Sequence, residues 1–431
     1  MASKISKIQA REVLDSRGNP TVQATVFLKD GLSASANAPS GASTGTFEAL
    51  ELRDGGARFG GKGVLRAVSN VNGPIARALE GMDVSKQEEI DLRLCEMDGT
   101  PDKSRLGANA TAAVSMACLQ AAAREQGVGA YRQIGEGAGG SSGGAFTLPV
   151  PFMNVINGGK HAGSGLAVQE FMLAPVGFSN FSDALRAGVE TYHSLRGIVA
   201  KQYGPLGTSV GDEGGFAPPI RTSAEALQVL EDAIAQAGYT GKVKLASDPA
   251  ASSFYDAKTG FYKIDGKELE KGELIDYWAG LCKEYPIVSL EDPFEEGDYN
   301  SFSALREKLA GKVQIVGDDL TVTNLRRVKK AHKERSISAL LLKVNQIGTI
   351  SEALESAQFC LSHHMGVMVS HRSGETEDAT IADLAVGLGC GQIKTGAPCR
   401  GERTAKYNRL LAIEEELGKK AKFLGEKALV F

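Results

Sequence analysis

KVKLASDP (242–249), IVSLEDP (287–293), VQIVGDD (313–319), ALLLKVN (339–345), GVMVSHRS (366–373) and QIKTG (392–396) decide the fold. Each is a short apolar run ending in a charged or hydrogen-bonding side chain: Asp248, Glu291, Asp318, Lys343, His371 and Lys394. Runs of this length bounded by turn residues read as buried strands. The ends lie 43, 27, 25, 28 and 23 residues apart, and most of these gaps hold one strand, one helix and two short loops. One helix start is well marked, because Thr222-Ser-Ala-Glu225 ahead of ALQVLEDAIAQAG fits a capping box. Such alternation, sustained from about residue 145 to the end, requires an α/β domain closed as a β/α barrel. Polar residues at the C-terminal strand ends of that fold converge on one mouth.

The converging residues carry chemistry. Asp248, Glu291 and Asp318 would repel one another unless a hard cation sat among them, and all-oxygen ligation favours magnesium over zinc. Lys343 leaves the end of a fully apolar run. Such a lysine can be neutral if desolvation and nearby cations disfavour its charged form, and a neutral lysine suits as a base for a proton on carbon beside a carboxylate. The structural alternative is a lysine merely paired with Asp318 or Glu291. Lys394 suits a fixed cation for a substrate carboxylate. His371-Arg372-Ser373-Gly374 groups a guanidinium, a hydroxyl and backbone N–H donors, the set a phosphate needs. Gly211-Asp212-Glu213-Gly214-Gly215 sets Glu213 in a flexible, glycine-bracketed loop as a general acid. His363-His364 reads as a structural pair at a helix end.

Upstream, residues 1–135 pattern as a smaller α+β domain. Val22, Ala24, Val26 and Leu28 alternate with polar residues, Asp30-Gly31 marks a turn, and a second strand follows at 32–38. LGANATAAVSMACLQAAAREQG (106–127) reads as a tightly packed helix. GEGAGGSSGG (135–144) contains G-x-G-x-x-G, but a helix precedes it and a strand follows, the reverse of a dinucleotide site. It reads as a linker, set at 136–147, ahead of a catalytic barrel at 148–431.

Composition narrows the class. Glycine is the outlier, 52 of 431 residues, while Pro stays at 14, so the glycines belong to turns of a folded chain. With 48 basic and 52 acidic residues, no global basic field recruits nucleic acid. Six cysteines are too sparse for a disulfide scaffold. With no signal core and no membrane span, the chain is expected to be cytoplasmic. Asn109-Ala-Thr111 and Asn180-Phe-Ser182 are then chance glycosylation matches.

Longer motifs supply a family resemblance. Asp15-Ser-Arg17-Gly-Asn-Pro-Thr21, Ser40-Gly-Ala-Ser43-Thr-Gly45, NGGKHAG (157–163), VQEFM (168–172), GDEGGF (211–216), SLEDP (289–293), LLLKVNQIGT (340–349), SHRSGET (370–376) and KTGAPCRGER (394–403) resemble the enolase family along essentially the whole chain. The resemblance implies a barrel with an irregular ββαα start and reversible dehydration of 2-phospho-D-glycerate to phosphoenolpyruvate in glycolysis and gluconeogenesis. It implies Lys343 as the base at C2 and Glu213 as the acid on the departing hydroxyl. Asp248, Glu291 and Asp318 would hold one Mg2+, and Ser43 would help a second bind with the substrate. His161, Gln169, Glu170, Arg372, Ser373 and Lys394 would line the substrate. The family likeness also implies a homo-oligomer, a dimer with an octamer possible.

Departures from the family pattern fall in loops, at Phe47, Lys160, Pro249 and Ser253, and bear on loop closure and metal affinity. Two other functions are consistent with part of the chain: another acid-sugar dehydratase of the same superfamily, or a non-catalytic surface or scaffold protein.

Overall fold

A computed structural model describes residues 3–42, 44–137, 145–163 and 165–431. Near the N-terminus, β1 (Ile5–Leu14), β2 (Pro20–Leu28) and β3 (Ser33–Asn37) form an antiparallel meander. Val22, Ala24, Val26 and Leu28 are buried, as their alternation requires. They pack near the helix Ala108–Glu125, whose alanines are small enough to bring it close to the sheet. That helix makes Asn109 a core residue, 2% exposed, so it is no glycosylation site. The sequence pattern does not reveal β1, because Lys7, Arg11 and Glu12 interrupt its apolar residues.

Eight strands close the barrel. They are β4 (Val150–Asn157), β5 (Glu170–Pro175), β6 (Val243–Asp248), β7 (Ile287–Glu291), β8 (Gln314–Gly317), β9 (Ala339–Leu342), β10 (Gly366–Ser370) and β11 (Gln392–Lys394). Phe152, Met172, Ala246, Val288, Val316, Leu341 and Met368 belong to one buried cluster inside it. Leu173, Leu245, Ile315, Leu340, Val367 and Ile393 belong to the larger core outside. Burial on both faces is why these strands read as continuous apolar runs.

The expected ββαα start is present. β4 and β5 come first, then helices Phe181–Tyr203 and Ser223–Gln236, then β6. β5 runs antiparallel to both neighbours, while the other barrel pairs are parallel. Reversal has a consequence for function. It brings the first residue of β5, Glu170, into register with Asp248 and Asn157 at the strand ends of the mouth.

Only half of the expected capping box forms at Thr222. Its hydroxyl accepts from the Glu225 N–H at 3.3 Å, but the Glu225 carboxylate accepts from Tyr203 Oη at 2.7 Å and the Arg221 N–H at 3.4 Å instead. The first residues of the glycine-rich segment close the helix Ala130–Gly137; positions 138–144 lie outside the described residues. Phe146–Leu148 pairs with Ala421–Phe423 as a small parallel ribbon outside the barrel.

Candidate active site

Asp248 and Glu291 end their strands, as does Lys394, and Asp318, Lys343 and His371 each follow a strand by one residue. One small polar cavity is lined by Asp248, Lys343, Lys394, His161, Gln169, Glu170, Glu213, Arg372 and Ser373, with His371 and Ser370 completing the wall. Glu291 and Asp318 stand behind that lining, against the two lysines. Ser43 lies outside the described residues.

The basic groups each hold a carboxylate. Lys394 Nζ lies 2.8 Å from Glu291, 3.0 Å from Asp248 and 3.2 Å from Glu170. Burial opposes its charge, but those three carboxylates outweigh burial and hold the amine well above its usual range. Lys343 Nζ lies 2.6 Å from Asp318 Oδ2. Burial again opposes the charge and Asp318 again prevails, so the amine is raised. The pair with Asp318 is the contact that the structural alternative for this lysine expects. Arg372 forms a bidentate pair with Glu48, at 2.9 and 3.0 Å, on a loop of the N-terminal unit.

On the opposite wall, Glu213 is buried beside two imidazoles. His371 Nε2 lies 3.2 Å from Glu213 Oε2, and His161 Nδ1 lies 3.7 Å from both Glu213 and Glu170. Asn154 Nδ2 donates to Glu213 Oε2 at 3.1 Å. Burial works against ionisation of Glu213, but the His371 and His161 rings and the Arg403 guanidinium hold its carboxyl well below the usual range. Burial, then the charge of Glu213, push Glu170 well above it. Burial, opposed by the charge of Glu213, pushes the His371 imidazole down to about 4. Gln169 Oε1, His161 Nδ1 and His371 Nε2 are buried without a hydrogen-bond partner. Unsatisfied polar groups on one cavity wall suit a polar ligand.

Backbone hydrogen bonds tie the loop that carries Glu213. Gly211 N–H donates to Gly215 O at 2.9 Å, and Asp212 N–H donates to His161 O at 3.2 Å. Glycine is needed at 215 for closeness rather than motion, since a Cβ would collide with the Asn157 amide and lie 3.1 Å from Asn154 O. Gly215→Ala should displace Glu213 and lower kcat by about 100-fold, the usual cost of a displacement near 1 Å. Steady-state kinetics alongside a melting curve check this.

Clustered carboxylate oxygens are the donors a hard divalent cation takes, although Asp248 and Glu291 lie outside the acidic group whose ligand atoms are closest together. Carboxyls outnumber cations at this mouth, and burial followed by mutual repulsion raises Glu291 and Asp319 well above the normal range. Asp248 and Glu291 meet at Lys394, while Asp318 also accepts from Gln346 Nε2 at 2.8 Å. The tight acidic triplet among the described residues is Asp292, Asp318 and Asp319, with ligand atoms within 4.8 Å of one another. Asp292 adopts φ +39 and accepts the Asp318 and Asp319 N–H groups at 3.0 and 2.6 Å. Sequence reasoning missed Asp292, Asp319, Gln346, Asn154, Glu48 and Arg403. Asp292, Gln346 and Arg403 lie inside quoted motifs, whereas Glu48 carries no local signal.

Fold and site together define a β/α-barrel enzyme built to move protons beside a bound anion and a hard metal ion. Residues 5–134 match the family described as "Enolase, N-terminal domain", and residues 145–430 match "Enolase, C-terminal TIM barrel domain". The chain belongs to the enolase family. It is 57% identical over 422 residues to the enolase of Methanopyrus kandleri, covering 97% of each chain. It is 56% identical over 415 residues to that of Methanocaldococcus jannaschii (96% of each) and 52% over 432 residues to that of Mastigamoeba balamuthi (98% of each). No described helix is long and apolar enough to cross a membrane.

Proposed function

We propose that the chain is a magnesium-dependent carbon–oxygen lyase that reversibly dehydrates 2-phospho-D-glycerate to phosphoenolpyruvate in glycolysis and gluconeogenesis. The observation that carries this reading is one cavity with Lys343 on one wall and Glu213 on the other. A base and an acid facing each other across one small ligand suit removal of a proton and a hydroxyl from adjacent carbons.

Lys343, once neutral, takes the C2 proton. The electron pair left on C2 forms the C2–C3 double bond as the C3 hydroxyl leaves, and a proton from Glu213 makes that hydroxyl water. Glu170, raised by burial and by the charge of Glu213, is the second carboxyl on this wall, and His161 Nδ1 lies 3.7 Å from each. Lys394 orients the substrate carboxylate, with Gln169 beside it, and Arg372 and Ser373 hold the phosphoryl group. Asp248, Glu291 and Asp318 would hold the first magnesium, and Ser43 would serve a second. Bound magnesium supplies charge stabilisation at the substrate carboxylate, the arrangement general to the enolase superfamily.

Arg372 and Ser373 favour a phosphorylated substrate over the plain acid sugars of other superfamily dehydratases. The intact acid–base set favours an enzyme over a scaffold. Domains at 1–135 and 148–431, joined at 136–147, accord with the change from meander to barrel. The likeness to the family supports a cytoplasmic homodimer or octamer that takes a small phosphorylated acid and no nucleic acid; light scattering separates the two assemblies.

The test is absorbance growth from phosphoenolpyruvate when purified protein meets 2-phospho-D-glycerate and Mg2+. Turnover is expected, and none at any Mg2+ concentration would sink the proposal. Arg372→Met should raise KM about 10- to 100-fold, the value of charged hydrogen bonds to one ligand group.

A further inference from the structure

Arg403 stands outside the cavity yet is fully buried. Its guanidinium joins the two loops that carry the acid side of the site. Nη1 lies 2.6 Å from His371 Nδ1 and donates to Arg372 O at 2.6 Å. Nη2 donates to Ser373 O at 2.6 Å and to Asp212 O, beside Glu213, at 3.0 Å. A guanidinium has only donors and does not deprotonate in proteins. The His371 nitrogen facing it must therefore be the acceptor.

We propose that Arg403 is a positioning residue that locks His371 in the tautomer protonated at Nε2 and so aims an N–H donor at the Glu213 carboxyl. The opposite tautomer would set an N–H against the guanidinium and turn a lone pair toward Glu213. Its effect on turnover rests on Glu213 being the acid; the tautomer itself does not. His371 Nε2 lies 3.2 Å from Glu213 Oε2 without a formed hydrogen bond, so a small rotation of the ring completes the contact. The same guanidinium holds the carbonyls of Asp212, Arg372 and Ser373, which keeps the two loops in register. Arg403 thus acts through His371 and the backbone, without touching the cavity.

The chain has six histidines, few enough to resolve by 15N NMR of ligand-free, histidine-labelled protein, with His371→Asn assigning the signal. The wild-type His371 is expected with its proton on Nε2 and a bare Nδ1. In Arg403→Met the proton should redistribute toward Nδ1, and in Arg403→Lys, which keeps a donor-only cation, the Nε2 form should persist. A proton on Nδ1 in the wild type overturns the proposal even if neither variant folds, as does an unchanged tautomer in folded Arg403→Met. Kinetically, Arg403→Met should lower kcat about 100-fold, the scale for a small misplacement of a reacting group, with KM changed less than threefold. A shifted tautomer with unchanged kcat would uphold the role of Arg403 and instead remove Glu213 as the acid.

Discussion

Lys343→Ala is expected to lower kcat by about 10^4-fold while leaving substrate affinity within about tenfold, since a positioned general base contributes up to that factor. Lys343 is the amine at the end of β9, and its backbone is held where the Thr323 hydroxyl accepts its N–H at 2.9 Å. Alanine preserves that backbone and deletes only the group that takes the proton. Asp318 would keep the Gln346 hydrogen bond but lose its 2.6 Å cation, so the ligand-free variant should also melt lower. Exchange of the C2 proton with deuterated solvent, measured on the substrate pool, separates proton removal from later steps. Fast exchange in Lys343→Ala would assign the base elsewhere; loss of exchange with substrate still bound supports the assignment.

Glu291→Gln is expected to weaken Mg2+ binding by about 100-fold, a loss of about 2.7 kcal/mol at about 1.4 kcal/mol per decade. The change removes one charge from the carboxylates that Lys394 shares. Isothermal calorimetry on metal-stripped protein reads this without reference to turnover. Wild-type Mg2+ affinity should also rise with pH. Burial, then the charge of Asp248, raise Glu291 above its normal range; the metal takes the carboxylate form, so binding should favour proton release and strengthen as pH rises toward that raised pKa. Calorimetry in buffers of different ionisation enthalpy counts the proton. Unaltered affinity in Glu291→Gln would remove it from the metal set.

The site was legible in the sequence to unequal depths. Asp248, Glu291, Asp318, Lys343, His371 and Lys394 can be placed at one mouth because each follows a local apolar run, and barrel closure does the rest. Glu170 breaks that rule. It begins its strand, and only the reversed direction of β5 takes it to the mouth; the family motif VQEFM pointed to it, but periodicity did not. Glu48 is harder still, since its pairing with Arg372 joins residues 324 positions apart. The strand end puts Lys343 at the mouth, but only the fold sets the Asp318 carboxylate 2.6 Å from its amine.

The sequence by itself determined the barrel, its order of elements and the residue types at its mouth, because buried strands and amphipathic helices are written in short-range patterns. The family motifs in it also determined the reaction. Only the tertiary structure decided which carboxylate faces which cation, which groups surround Glu213, and that Arg403 reaches His371. Protonation and partner choice depend on distances of a few ångströms between residues remote in the chain, and no local pattern encodes those distances.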